Sequence, residues 1–550
     1  MKNNIILLVL IIAGLFYSCS DDFLDREPLN KYSEAAVWSD LALVETFVNH
    51  LYNGVFDEAS VGTMRSTYSD NAFLLHNWGA SGIVQGTISP DQWWIGWGRD
   101  SQDNPWAINY EFIRGCNMFL SKIKDVPADS DKDKEWKEQL TGQVHFLRAY
   151  FYYDLYRFFG GVPLIDNVYS LDDDFLNVTR STLDETFEFI VSDLEEAIGL
   201  LPLEYGSEDL GRSTKGAAMA LKSRVLLYGA SPLFGTPSAS KWQRAADATK
   251  ELIDLNQYSL TSVSNFNEYE DVFVNALSNE VIWQRRFTPK WDEWPGVNKM
   301  QYQTDPPSYG GWTAVNPTQE VVESFEMADG TPAPDFLSME NPYEGRELRF
   351  YASVLYNGAE WKGSTFDQFI PNGKDGPQGV VPWNASKTGY AMRKFKDETY
   401  SVFEQEPPAT PWVFFRYAEV LLNYAECLIE LGNEDEARNY INLVRERVHL
   451  PTIGNDVTGI ELVEKYRHER RIELVFEGYR WFDIRRWKTA MDIMNKPIHG
   501  VSITKNSNNT FTYTINKVQD RAMYERNWWV PIPRSEIQKA PQIIQNPGYD

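Results

Sequence analysis

The chain has 550 residues, with 78 Asp and Glu against 52 Lys and Arg and a formal charge of −26. A nucleic acid or other polyanion would be bound against that field, and no Lys/Arg cluster of the kind that tracks phosphates occurs. The 43% hydrophobic content supports a large globular body of one large or two to three ordinary domains, while 3 Cys and 6 His without CxxC or HExxH spacing leave no disulfide framework, metal site or cofactor motif.

Met1-Lys2 and the apolar run Ile5 to Phe16 read as a leader, the run being too short to span a bilayer. Phe16-Tyr17-Ser18-Cys19 resembles a lipobox, with Phe where Leu is usual, so residues 1–18 are expected to be removed and Cys19 lipidated. The alternative is ordinary secretion with Cys19 near a cut site. Ser20-Asp21-Asp22 follows as an acidic tract, which suits export of a lipoprotein to the cell surface or a solvated tether.

Helical periodicity dominates the first half. Trp106, Tyr110, Ile113 and Asn117 share a helix face, and Trp136 to Phe159 forms a long helix stopped by Gly160-Gly161 and Pro163. Helices follow at Thr182–Leu200, Thr214–Ala230 and Trp242–Leu255. Ala425, Gly432, Ala437 and Pro451, within 415–451, echo the tetratricopeptide pattern of small residues at helix contacts and glycine at the turn. The segments 182–200, 214–230 with 242–255, and 415–448 read as versions of one helical unit, which stack because none can bury its apolar face alone. Cys116 and Cys427 sit in helical apolar patterns as small hydrophobes.

From about 260 to 410 the pattern breaks into Pro, Gly, Trp and Asn-rich loops with short strand-like runs such as Glu280 to Trp283. The expected division is a 1–18 leader, a helical region 19–260, and a region 261–550 whose loop-rich insert covers 261–410 and whose helices and terminal motif cover 411–550.

Aromatics are abundant, with 19 Trp, 29 Tyr and 30 Phe, and a protein this rich in Trp often uses some of it outside the core. Pro90 to Asp100 packs Trp93, Trp94 and Trp97 among glycines, flanked by Asp91, Gln92, Arg99 and Asp100, with Asn77-Trp78 just upstream. Trp291, Trp294, Tyr309 and Trp312 form a second cluster. Flat rings that stack on pyranose C–H faces, beside a few polar groups that fix hydroxyls, are what a sugar site requires. Trp106, Tyr110, Trp528 and Trp529 read as structural. Glu469, Glu473 and Glu477, spaced four apart, could supply a glycosidase pair, but an Arg–Glu network tying the segment to its neighbours is the favoured reading.

Five segments together resemble the SusD/RagB family of outer-membrane nutrient-binding lipoproteins, in order and across nearly the whole chain. They are Leu147 to Tyr150 through Tyr156 to Gly160-Gly161-Val162-Pro163-Leu164; Ser213 to Ala218 with Leu226-Leu227-Tyr228; and Arg416 to Leu422 with Tyr424-Ala425-Glu426, Ile441-Asn442 and Val444-Arg445. The fourth runs from Glu469-Arg470-Arg471 through Phe476 to Arg480 and Asp483 to Trp487, and the last joins Val530-Pro531-Ile532-Pro533 and Glu536-Ile537 to Gln545-Asn546-Pro547-Gly548-Tyr549. Ala540-Pro541 departs from the family's usual Asn-Pro.

The resemblance implies a mainly α fold, a scaffold of tetratricopeptide-like helix pairs with a loop-rich, mixed remainder, and a non-catalytic surface lipoprotein that binds oligosaccharides, or in some members peptides, and sits over a TonB-dependent β-barrel transporter of the SusC type. It also places the ligand platform in the two aromatic regions, without matching single rings to a motif. The competing functions are a surface glycoside hydrolase, weakened by the lack of any distinctive nucleophile or acid–base motif, and a peptide-binding or protein-interaction scaffold with no sugar ligand.

Overall fold

The computed structural model describes residues 34–61, 64–76, 79–92, 105–170, 173, 175–275, 277–290, 297–403 and 406–549. Its helices include α1 (Leu41–Leu51), α2 (Pro105–Lys122), α3 (Asp131–Phe159), α4 (Leu183–Leu200), α5 (Lys215–Ala230), α6 (Ala239–Asp254), α7 (Tyr417–Glu430), α8 (Glu434–Arg447), α9 (Gly459–Glu473) and α10 (Arg480–Arg486). The fold is mainly α-helical, as the periodicity implied.

Local chemistry sets the helix ends. Ser130 and Asp133 form a capping box, which starts α3 five residues before the expected Trp136, and Thr182 and Glu185 form another at α4. Thr214 and Ser238 accept from Ala217 N and Lys241 N at the starts of α5 and α6. Gly160, at φ +82°, ends α3, and a Cβ on Gly161 would lie 2.2 Å from the Ser181 carbonyl oxygen. The chain turns there at a distance that only glycine permits.

The helices stack as an array. α3 packs on α2 and α4, α4 on α5, α5 on α6, α6 on α7, and α7 on both α8 and α9. No single pair could bury its apolar face alone, which is why such units stack. α5 lies between neighbours on both sides and is buried along almost its whole length, consistent with its Ala217, Ala218 and Ala220. Ala425 and Ala437 are fully buried at the α7–α8 contact, and Gly432 turns the chain between them at φ +81°.

The strands are short. β1 (Ala72–Leu74) pairs antiparallel with β3 (Val315–Pro317), β2 (Val281–Arg285) with β4 (Trp412–Arg416), and β5 (Ile498–Lys505) with β6 (Phe511–Gln519). The β2–β4 pair anchors the loop-rich stretch to the array. Trp283 of β2 stacks on Phe414 of β4 with centroids 4.3 Å apart and meets Phe146 of α3 edge-on at 4.8 Å.

A buried ionic network joins the two parts. Glu469 accepts from Arg349 Nη1 (2.5 Å) and Arg445 Nη1 (2.9 Å), and Glu473 from Arg416 Nη1 (2.6 Å), Arg349 Nη1 (3.0 Å) and Arg447. Glu477, beyond the end of α9, takes Arg416 twice at 2.7 Å and Lys394 Nζ at 2.7 Å. Burial alone would raise the Glu473 carboxyl, but the guanidinium groups of Arg447, Arg416 and Arg349 outweigh it and hold the group well below the carboxylate range. These three acids face inward, each held by cations from other elements. They form the structural network that the four-residue spacing suggested.

Candidate functional site

The β1–β3 ladder is where the loop-rich stretch meets the N-terminal half. Ala72 faces Pro317 and Leu74 faces Val315, and Leu75 N continues the pairing to Ala314 O at 2.9 Å. The ladder delivers His76 to Trp312: the rings meet edge-on at 6.2 Å, and His76 Nε2 lies 3.2 Å from the Trp312 carbonyl oxygen. Trp312 also packs against Tyr302 at 4.7 Å. Burial holds the half-buried His76 below the ordinary histidine range, so its ring is neutral near pH 7. A neutral imidazole has one donor and one acceptor nitrogen, as a hydroxyl partner requires.

Three scaffold arginines fix the lead-in to β1. Asp70 accepts from Arg480 Nε (2.9 Å) and Nη2 (3.1 Å) and pairs with Arg471 Nη2 at 2.9 Å. Arg471 Nε reaches Asn71 Oδ1 at 2.8 Å, and Arg521 donates to the carbonyls of Ser69 and Ala72. The strand that carries His76 is thus bound to the helical scaffold by charge-assisted bonds.

The turn before Trp312 is equally fixed. Buried Asp305 takes Lys362 Nζ at 2.6 Å and Lys396 Nζ at 3.1 Å, and its carbonyl accepts from Thr313 N at 3.0 Å. A Cβ on Gly311 would lie 2.2 Å from that carbonyl oxygen, so the turn closes only with glycine there. Tyr309 donates its hydroxyl to Trp361 O at 2.8 Å, and Lys374 Nζ lies 5.0 Å from its ring centroid. Asp375 accepts from Ser308 N and Asp367 N at 3.0 Å each, and burial pushes its carboxyl up from the ordinary value.

Two more aromatic rings surround this turn. Phe403 and Trp383 are 76% and 73% exposed, against a core in which most rings are hidden. A Cβ on Gly310 would sit 2.9 Å from the Phe403 ring, and Asn384, next to Trp383, donates to Gly311 O at 3.3 Å. Tyr309 and Trp312 flank Gly310-Gly311, Phe403 packs against Gly310, and Asn384 ties the loop that carries Trp383 and Val380 (62% exposed) to Gly311. Two exposed rings, Trp383 and Phe403, on loops tied to a turn with half-buried Tyr309 and Trp312 suit a contact surface.

Of the residues singled out by sequence, the structure brings together Tyr309 and Trp312. Asp91 is engaged by Arg534, whose Nε and Nη2 donate to its carboxylate at 2.7 and 3.0 Å in an exposed pair. Cys19, Asn77, Trp78, Trp93, Trp94, Trp97, Arg99, Trp291 and Trp294 lie outside the described residues. Asn77 and Trp78 follow His76 directly in the chain. Trp383 and Phe403 were missed, although Pro382-Trp383 carries the same signal, an aromatic residue in a Pro/Gly-rich loop, that selected Trp291 and Trp294.

Among the described residues no group of His, Cys, Asp and Glu is arranged to hold a metal ion, and no helix is long and apolar enough to cross a membrane. Cys116 and Cys427 are free, buried thiols. Trp106 and Trp528 are core residues, as read from the sequence.

Comparison with known proteins agrees with the fold. Residues 279–549 match the SusD family model, and residues 22–227 match a model described as starch-binding and associating with the outer membrane. A SusD-like protein from Bacteroides fragilis NCTC 9343 has 31% identity over 95% of this chain and 100% of its own, with a TM-score of 0.82. A second structure from that organism, described as a SusD-like carbohydrate-binding protein, has 27% identity over 92% of this chain and 99% of its own, with a TM-score of 0.77. SusD-like protein P38 of Formosa agariphila is 25% identical, covering 91% of this chain and 94% of the relative. The shared helix array, the full-length similarity and the two family matches establish that this chain belongs to the SusD/RagB family.

Proposed function

We propose that this protein is a non-catalytic oligosaccharide-binding lipoprotein, anchored at the outer membrane through Cys19 and exposed at the cell surface, which passes its ligand to a SusC-like TonB-dependent transporter. The observation that carries the reading is the exposed aromatic surface at Gly310-Gly311, with neutral His76 beside Trp312. Flat rings on a fixed turn suit stacking on sugar faces, and adjacent polar groups suit hydroxyl recognition. The carbohydrate-binding relative and the outer-membrane family description support the ligand class and the location. Trp93, Trp94, Trp97, Arg99, Asp91, Asn77, Trp78, Trp291 and Trp294 stand as further candidates for the same ligand on their sequence context. The division into a 1–18 leader and regions 19–260 and 261–550 is part of the same proposal.

The test is titration of the purified chain with oligosaccharides by calorimetry, alongside a reducing-end assay. Binding in the micromolar to millimolar range, about −8 to −4 kcal/mol, without release of new reducing ends is expected. Turnover that disappears on a single carboxylate substitution would establish a hydrolase instead. Silence across sugars and peptides, with an intact transporter complex, would establish a scaffold.

A further inference from the structure

Away from the aromatic platform the described surface holds a groove of about 680 Å³. Trp106, Tyr110 and Ile113 of α2 form one wall, Ile165 a second, and Ala540 with Ile543 of the C-terminal segment a third. Ile544 follows directly and is 79% exposed. Arg114, Glu536 and Lys539 line the groove as its charged groups, the last two paired at 2.8 Å. An apolar hollow of this size marks a site of contact. It is ill suited to a sugar, because Trp106 is 3% exposed and packed against Tyr110 and Phe159.

We propose that the groove receives the chain's own N-terminal segment, residues 22–33. Four observations point to that occupant. The described chain begins at Glu34 and passes at once to Trp38, whose ring packs on Phe119 of α2 at 6.4 Å. Phe119 lies six residues beyond Ile113, about 9 Å along the helix axis, whereas the twelve residues 22–33 reach up to about 40 Å. The sequence Asp22-Phe23-Leu24-Asp25-Arg26-Glu27-Pro28-Leu29 offers two apolar pairs for the hollow. Its acids and Arg26 are opposite in charge to Arg114 and Lys539 and to Glu536. Finally, the match to the starch-binding, outer-membrane family model begins at residue 22, so this stretch is matched as part of the domain and not as leader.

Docking has a mechanical consequence that rests on the anchor reading. Only Cys19 to Asp21 would remain as a leash, so the groove end of the molecule would be held against the membrane.

Cysteine pairing tests the proposal. In the mature chain carrying Cys19→Ser, whose other thiols are buried, Phe23→Cys, Leu24→Cys or Leu29→Cys is combined singly with Ile544→Cys. Each is also combined with Ile460→Cys, an equally exposed position at the start of α9, at the far end of the array. Disulfides require Cα atoms within about 7 Å, so at least one pairing with Ile544→Cys should close in most molecules under mild oxidation, and none with Ile460→Cys. Phe23→Asp with Leu24→Asp should then accelerate tryptic cleavage after Arg26 by about tenfold or more. Equal closure with both partner positions, or closure with neither, overturns the proposal and leaves residues 22–33 a simple tether.

Discussion

Asp70 and Arg480 meet in a two-pronged pair, Oδ1 to Nε at 2.9 Å and Oδ2 to Nη2 at 3.1 Å, that ties the lead-in of β1 to the start of α10. The residues are 410 positions apart, and the contact couples the helix array to the strand that presents His76 to Trp312. Asp70→Asn removes the charge that Arg471, Arg480 and Arg521 share, and should destabilise the fold by roughly 1.5–3 kcal/mol. It should also weaken oligosaccharide binding in calorimetry under conditions where the variant remains folded. Unchanged affinity would mean that the platform does not depend on this tie.

Trp383→Ala and Phe403→Ala should each cost about 1–3 kcal/mol of binding while leaving the unfolding transition in place, because exposed rings contribute little to the core. Trp312→Ala should lower both, since Trp312 packs on Tyr302 and His76. Calorimetry beside thermal unfolding separates the two patterns. A sharp loss of stability at Trp383 would remove it from the platform.

Glu473→Gln should be among the most damaging single substitutions in the chain. It leaves Arg349, Arg416 and Arg447 facing a neutral amide in a buried site, which costs about 3–5 kcal/mol. Denaturant unfolding checks the value. A change below about 1 kcal/mol would mean that Glu469, Glu477 and Glu280, which accepts from Arg416 Nη1 at 2.8 Å and Arg447 Nη1 at 2.9 Å, carry the guanidinium groups by themselves.

Acid should unfold the protein over a defined window. Burial alone would raise Glu426, but Arg486 outweighs it and holds the carboxyl at about 2, against an ordinary 4.5. Asp70 lies below its usual range because Arg471 and Arg480 likewise outweigh burial. Below about pH 4.5 the unfolded chain binds protons that the folded chain excludes, so stability is full above that pH and declines as the pH falls toward 2. For Glu426 the difference corresponds to roughly 3 kcal/mol. Glu426→Gln should flatten the slope of stability against pH between 4.5 and 2.

Cys19→Ala should leave the protein folded but release it from the outer membrane, because the lipid supplies the membrane affinity. Fractionation in a strain lacking the transporter is the measurement. Retention of the variant in the membrane fraction there would rule out the anchor.

The helices were legible because their signals are local. Gly160-Gly161 stops α3 and Thr182 opens α4 within a few residues of sequence, and Ala425, Gly432 and Ala437 mark the α7–α8 hairpin. The start of α3 was read late because attention to the apolar period passed over Ser130 and Asp133, a polar cap. The ionic network was legible only on one side. Glu469, Glu473 and Glu477 announce themselves by spacing, but Arg349, Arg416 and the α8 pair Arg445 and Arg447 arrive from three other places in the chain. The platform was half legible for the same reason: Tyr309 and Trp312 share a turn, whereas Trp383 and Phe403 join them only because two later loops return to Gly310-Gly311.

The β2–β4 pair bears on how such proteins diversify. Arg285 and Trp412 are register partners, so the 126 residues between them depart from and return to one antiparallel rung, with backbone ends about 5 Å apart. That stretch is a cartridge with both terminals on the same side. Exchanging it for the corresponding stretch of a relative would leave every helix-to-helix contact of the array untouched, provided the donor supplies a cation at position 349 for Glu469 and Glu473 and another at 394 for Glu477. On the proposed reading that ligand is bound there, new ligand preferences could then arise by exchange of this stretch, without passing through unfolded intermediates of the scaffold.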